Sequence, residues 1–94
     1  MQHDIKHKET DDRGIFYINI DNKKIAELTY SLDDNVMIID HTEVHPSQEG
    51  KGIGTQITQH AVQFARDNDR KVNPLCPFAE VLFDQNEEWN DLRV

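Results

Sequence analysis

Apolar and polar positions alternate from Gly14 onward, with Phe16, Ile18 and Ile20 set against Ile15, Tyr17 and Asn19, until Asp21-Asn22 supplies a turn. This spacing predicts a strand that is apolar on much of both faces. A second strand is predicted over residues 25–32, with Ala26, Leu28, Tyr30 and Leu32 on one face and Glu27, Thr29 and Ser31 on a wet one. Asp33-Asp34-Asn35 turns the chain again, and residues 36–44, Val-Met-Ile-Ile-Asp-His-Thr-Glu-Val, open with strong β propensity. Three consecutive strands joined by tight turns imply an antiparallel meander.

The period then changes from two to about 3.6. Ile53, Ile57, Ala61, Phe64 and Ala65 recur at helical spacing, while Gln56, Gln59, Gln63 and Arg66 take the other side. Residues 70–75 read as a fourth strand, and Pro77 suits the first turn of a short helix carrying Phe78, Val81, Leu82 and Phe83. Trp89 and Leu92 are expected to fold back as a C-terminal anchor. Residues 1–12 lack periodicity and are expected to form a loose terminus, with a short edge strand as the alternative. The order β-β-β-α-β-α describes one compact α+β domain over residues 1–94, with helices packed on a mainly antiparallel sheet.

Composition narrows the function. Hydrophobic residues make up 36% of the 94 and charged residues 30%, so a soluble globular domain is expected. Ten Lys and Arg against eighteen Asp and Glu leave a formal charge of -8, a field that repels nucleic acid and anionic membrane. Any anionic ligand must then be held by local geometry. Cys76 is the single cysteine, which excludes an internal disulfide, and no leader or apolar run of membrane length is evident, so a cytoplasmic location is expected. His41 and His45 in extended chain would lie about 13 Å apart, too far to share one ion, so no metal site is expected. The aromatic residues read as core and edge packing, since no basic groove accompanies them.

The segment Glu49-Gly-Lys-Gly-Ile-Gly-Thr55 stands apart, with three glycines at alternate positions before the long helix. A phosphate loop of the nucleotide-hydrolysing type needs Ser or Thr directly after its Lys, whereas Lys51 is followed by Gly52. A dinucleotide fingerprint fails as well, because Thr55 and Ile57 stand where a third glycine would be needed. What survives is the physics these motifs share: free amides at a helix N-terminus, with the helix dipole behind them, facing an anion such as a pyrophosphate. The competing reading is a plain strand-to-helix connector.

Val44 closing a strand, then Gly50-Lys51-Gly52-Ile53-Gly54 and an amphipathic helix, resembles the acetyl-coenzyme A pyrophosphate loop of the GNAT superfamily of N-acetyltransferases. His41-Thr42-Glu43-Val44 before the loop and Pro74-Leu75-Cys76-Pro77-Phe78 after the next strand are similar to a compact, uncharacterised GNAT-like branch. The resemblance covers roughly residues 15–83. It implies acetyl-coenzyme A as co-substrate, held by Val44 and by Gly50, Lys51, Gly52, Ile53, Gly54 and Thr55. It also implies an amine acceptor, whether a small molecule such as a polyamine or amino sugar, or a protein lysine.

Two departures from the family pattern stand out. Glu49 occupies a position where many members carry Arg or Gln, and a carboxylate there opposes a pyrophosphate. Many larger relatives protonate the leaving thiolate with a tyrosine on the last helix, where this chain offers Leu82 and Phe83.

Three residues are candidates for the chemistry. Cys76, at the junction of the fourth strand and the last helix, could accept the acetyl group, or could be a small buried hydrophobe. An ordinary thiol, with a pKa of about 8.5, is helped by a neighbouring base, and His41 is the candidate by family analogy. Simple alternation puts Ile39, His41 and Glu43 on one strand face, so either His41 or Glu43 could deprotonate an amine. The alternative for each is a satisfied or solvated side chain. The function expected is acetyl transfer to an amine, directly or through Cys76. Its rivals are an acyl-coenzyme A sensor without turnover and an interaction module whose acidic surface meets a basic partner.

Overall fold

The structure, a computed structural model, describes residues 4–94. Five strands form one sheet in the order β1-β2-β3-β4-β5: β1 (Lys6–Glu9), β2 (Arg13–Ile20), β3 (Lys23–Asp33), β4 (Val36–Val44) and β5 (Lys71–Pro74). The first four are antiparallel neighbours, and β5 joins β4 in parallel after the crossover through helix α1 (Ile53–Asp67). Helix α2 (Pro77–Gln85) follows β5 directly. This is the α+β, GNAT-like arrangement anticipated from the sequence, with one more strand at its edge.

That strand lies inside the segment expected as a loose terminus, and it corrects that expectation for Lys6–Glu9, in favour of the edge-strand alternative. The part of that expectation covering residues 1–3 lies outside the described residues. Periodicity missed β1 because polar partners, not an apolar face, hold it down. His7 stacks on Phe16, with ring centroids 4.1 Å apart, and its Nε2 lies 2.7 Å from the Tyr30 hydroxyl. Tyr30 in turn donates to Glu9 at 2.7 Å, and Arg70, from beyond the C-terminus of α1, donates to the same carboxylate at 2.6 Å.

Register explains which sheet face is covered. Phe16 pairs with Leu28, Ile18 with Ala26, and Met37 with Val72, so these side chains share one face; all are buried. The apolar stripe of α1, Ile53, Ile57, Ala61, Val62 and Ala65, buries itself in the same core, as do Ala79, Leu82 and Phe83 of α2. The opposite face carries Ile15, Tyr17, Glu27 and Thr29, half-buried. Trp89 and Leu92 fold back onto the core, with Trp89 edge-on to Phe83 at 5.0 Å. The Leu92 carbonyl accepts from the Val72 amide at 2.7 Å, which ties the tail to β5.

Two irregularities position the site. The β3–β4 register shifts between Thr29 and Tyr30: Thr29 pairs with His41 but Tyr30 with Ile39, which leaves Asp40 as the extra residue of a bulge. The β4–β5 ladder ends at Ile39 and Pro74, so from Asp40 to Val44 the outer edge of β4 has no strand partner. Proline cannot donate a ladder bond, and the chain leaves the sheet there to enter α2.

Candidate functional site

Where β4 ends, the chain makes a short 3-10 turn over Pro46–Gln48 and then reaches the glycines. The three have two different jobs. Gly50 and Gly52 have φ of 80° and 75°, the left-handed region where a side chain is strained, and an added Cβ at either would meet no neighbouring atom. Gly54 lies inside the first turn of α1, where an added Cβ would stand 2.7 Å from the ring of Phe78 on α2. Backbone shape demands the first two and helix-to-ring packing the third.

Gly52 is the N-cap of α1 and offers no side-chain oxygen to the first turn. The first helical bond is donated by the Gln56 amide to the Gly52 carbonyl at 3.0 Å. Among the described residues, no protein acceptor receives the amides of Gly50, Lys51, Gly52, Ile53, Gly54 or Thr55. Six consecutive donors thus lie unaccepted at the positive end of a helix dipole, where negative charge is favoured. Lys51 adds a cation tethered to the turn, its Nζ donating to Gln48 Oε1 at 3.3 Å. Gly50, Gly52, Ile53, Gly54 and Thr55 all line a groove of about 320 Å³, together with Thr42, Val44 and Phe78.

The groove thus joins three features: the free amides, the unpaired edge of β4, and the half-exposed ring of Phe78 packed against Gly54. A pyrophosphate suits the first, and an extended arm with amide groups suits the second, because an unpaired strand edge presents N–H and C=O groups in alternation. The residues present therefore fit an elongated ligand with an anionic group beside an extended arm. Glu49 also lines the groove, the one feature that opposes an anion.

Cys76 is the N-cap residue of α2, and its amide donates to the Ile39 carbonyl at 2.9 Å where the β4–β5 ladder stops. The thiol is buried at 6% exposure and lies 3.5 Å from the Thr42 hydroxyl, which itself lines the groove. His41 and Glu43 are elsewhere. Their side chains meet each other at 3.4 Å, and His41 approaches Glu27 at 3.7 Å, all on the sheet face that the helices leave open.

The bulge at Asp40 is the reason. It places Ile39, Thr42 and Val44 in one phase and His41 and Glu43 in the other, which corrects the simple alternation that grouped Ile39 with His41 and Glu43. The structure brings His41 and Glu43 together but not His41 and Cys76, whose hydrogen-bonding neighbour is Thr42. Thr42 is the site residue that sequence reasoning missed. The sequence carried no clear signal of it, because apolar residues occupy both phases of the strand: Val36, Ile38 and Val44 in one, Met37 and Ile39 in the other.

A crossover helix thus joins an antiparallel meander to one parallel strand, with unaccepted amides where that helix begins. Residues 15–92 match the model of the GCN5-related N-acetyl-transferase family, and the chain belongs to that family. No curated protein matches it.

Among solved structures, the chain is similar to a GCN5-like protein of Staphylococcus aureus, named as a candidate N-acetyltransferase. The two share 31% identity over 95% of this chain and 87% of that one, with a TM-score of 0.72. The ribosomal-protein-S18-alanine N-acetyltransferase of Escherichia coli shares the fold at 12% identity and a TM-score of 0.67, over 82% of this chain and 53% of that one. A candidate streptothricin acetyltransferase of Bacillus anthracis, solved with acetyl coenzyme A, matches at 17% identity and a TM-score of 0.58. That match covers 67% of this chain and 37% of the other. Among the described residues, no helix is long and apolar enough to cross a membrane.

Proposed function

We propose that this protein binds acetyl-coenzyme A along the groove and transfers the acetyl group to an amine. The observation that carries the reading is the run of unaccepted amides from Gly50 to Thr55 opening into a groove walled by the unpaired edge of β4. The pyrophosphate takes the amides, assisted by Lys51, and the pantetheine arm pairs with β4 beside Val44. Family membership and the acetyl coenzyme A held by the Bacillus anthracis protein favour the same carrier.

Two routes complete the transfer. In the direct one, the amine nitrogen attacks the thioester carbonyl, the C–N bond forms, the C–S bond breaks, and coenzyme A leaves as a thiolate that takes up a proton. In the second, Cys76 Sγ attacks first and gives its proton to the leaving thiolate, and the amine then attacks the acetyl-cysteine. Cys76 Sγ donates to the Thr42 hydroxyl at 3.5 Å, and Thr42 lines the groove, so the buried sulfur lies one side chain behind the groove wall. His41 and Glu43 are candidates to accept the proton of an amine arriving over the open sheet face.

Two observations favour a second reading, a sensor that binds acyl-coenzyme A without turnover. His41 contacts Glu27 and Glu43 instead of the thiol, and Leu82 and Phe83 on α2 are buried apolar side chains. Cys76→Ser separates the readings. The protein is incubated with acetyl-coenzyme A, with and without a panel of amines, and followed by intact mass and by product formation. An acetyl adduct labile to hydroxylamine and lost in the variant supports the covalent route, whereas transfer that survives in the variant supports the direct one. Saturable binding with no transfer to any amine selects the sensor.

A further inference from the structure

A second cavity, of about 470 Å³, adjoins the groove on the far side of the 3-10 turn, and Gln48 lines both. Its polar lining comes from Asp21, Lys23, Lys24, His45, Ser47 and Gln48, between the β2–β3 turn and the end of β4. Its charge is unusual for a chain with a net charge of -8. Lys24 is paired with Glu27, but Lys23 has no carboxylate partner among the described residues. His45 accepts the Ser47 amide on Nδ1 at 3.1 Å, so its proton sits on Nε2, which is left as a donor. Asp21, the one carboxylate among the lining residues, is at the turn with φ of 51°.

We infer that this cavity takes a phosphate monoester, and that its source is the 3′-phosphate on the ribose of coenzyme A. The inference rests on the carrier reading above. Coenzyme A carries two separate anionic groups, a pyrophosphate and a phosphate monoester, at the 5′ and 3′ positions of one ribose. The chain offers two cationic or donor-rich cavities meeting at Gln48, one lined by residues with free amides, the other by Lys23 and His45 with its Nε2 donor. An acidic surface cannot attract such a dianion at long range, so discrimination falls to these few local donors.

The test compares binding of coenzyme A and dephospho-coenzyme A to the folded protein by calorimetry at low salt. The expected result is about fivefold to tenfold tighter binding of coenzyme A, the scale of one or two exposed charge-assisted contacts. Lys23→Ala should remove most of this preference while leaving dephospho-coenzyme A affinity unchanged. Asp21→Asn, which keeps a residue tolerant of the left-handed turn, should widen the preference. Equal affinity for the two ligands in the native protein, or a preference that survives Lys23→Ala, overturns the inference and leaves the carrier reading intact. Failure of both ligands to bind overturns both. If inorganic phosphate alone shifts the Lys23 and His45 amides while the two coenzymes bind alike, the cavity is a general phosphate site and the assignment to coenzyme A is wrong.

Discussion

At the scale of the residue, Glu49 and Gly52 carry the most information about the proposed anion site. Glu49 lines the groove beside six free amides, so Glu49→Arg replaces a repulsive charge with an attractive one at the same place. Binding of coenzyme A should tighten, by about threefold to tenfold at low ionic strength, and calorimetry reads the change. Gly52→Ala places a Cβ in open space but forces φ of 75° on a residue that resists it. The expected cost is about 1–2 kcal/mol in urea denaturation, with weaker coenzyme A binding as the first turn of α1 rearranges. The pattern of glycines could be seen in the sequence, but their separate reasons could not. That Gly54 yields to Phe78 depends on how closely α1 and α2 approach.

At the scale of the element, the three-strand meander, both helices and their order could be read directly from apolar periodicity, because each element buries one face. The bulge at Asp40 could not, since it exists only in the pairing of β4 with β3, and it decides which side chains face the groove. It separates His41 from Cys76 and brings Thr42 to the thiol. β1 escaped for a related reason: its order comes from Tyr30 and Arg70, residues distant in sequence. The C-terminal anchor was readable from Trp89 and Leu92 as isolated apolar residues in a polar tail. Trp89 packs on Phe83 at 7% exposure, so Trp89→Ala should cost about 3 kcal/mol in chemical denaturation. A loss under about 0.5 kcal/mol would mean that the tail is not part of the cooperative core.

At the scale of the whole molecule, the cluster of His7, Glu9, Tyr30 and Arg70 ties the first strand to the far end of α1, and it makes stability depend on pH. Burial lowers the His7 pKa below its ordinary 6.5, and the Arg70 hydrogen bond lowers that of Glu9 below its ordinary 4.5. In both cases the unfolded chain takes up a proton before the folded one does, so each contribution is complete above the ordinary value and is lost on acidification. Stability should begin to fall below about pH 6.5 through His7 and fall further below about pH 4.5 through Glu9. His7→Gln should flatten the upper part of that decline in urea titrations at successive pH values, and Glu9→Gln the lower part.

The cluster steadies the sheet from the β1 edge, whereas the proposed chemistry uses the opposite end of β4, where the ladder to β5 has ended. The account's central claim is that these free amides and the sulfur beyond Thr42 belong to one acyl-coenzyme A site. The most direct measurement is an acetyl-coenzyme A titration of isotopically labelled protein, following the amides from Glu49 to Thr55 together with those of Thr42 and Cys76. The account predicts saturable shifts at both ends of the groove with one common dissociation constant. No shift at millimolar ligand, or shifts confined to residues outside the groove, would contradict it.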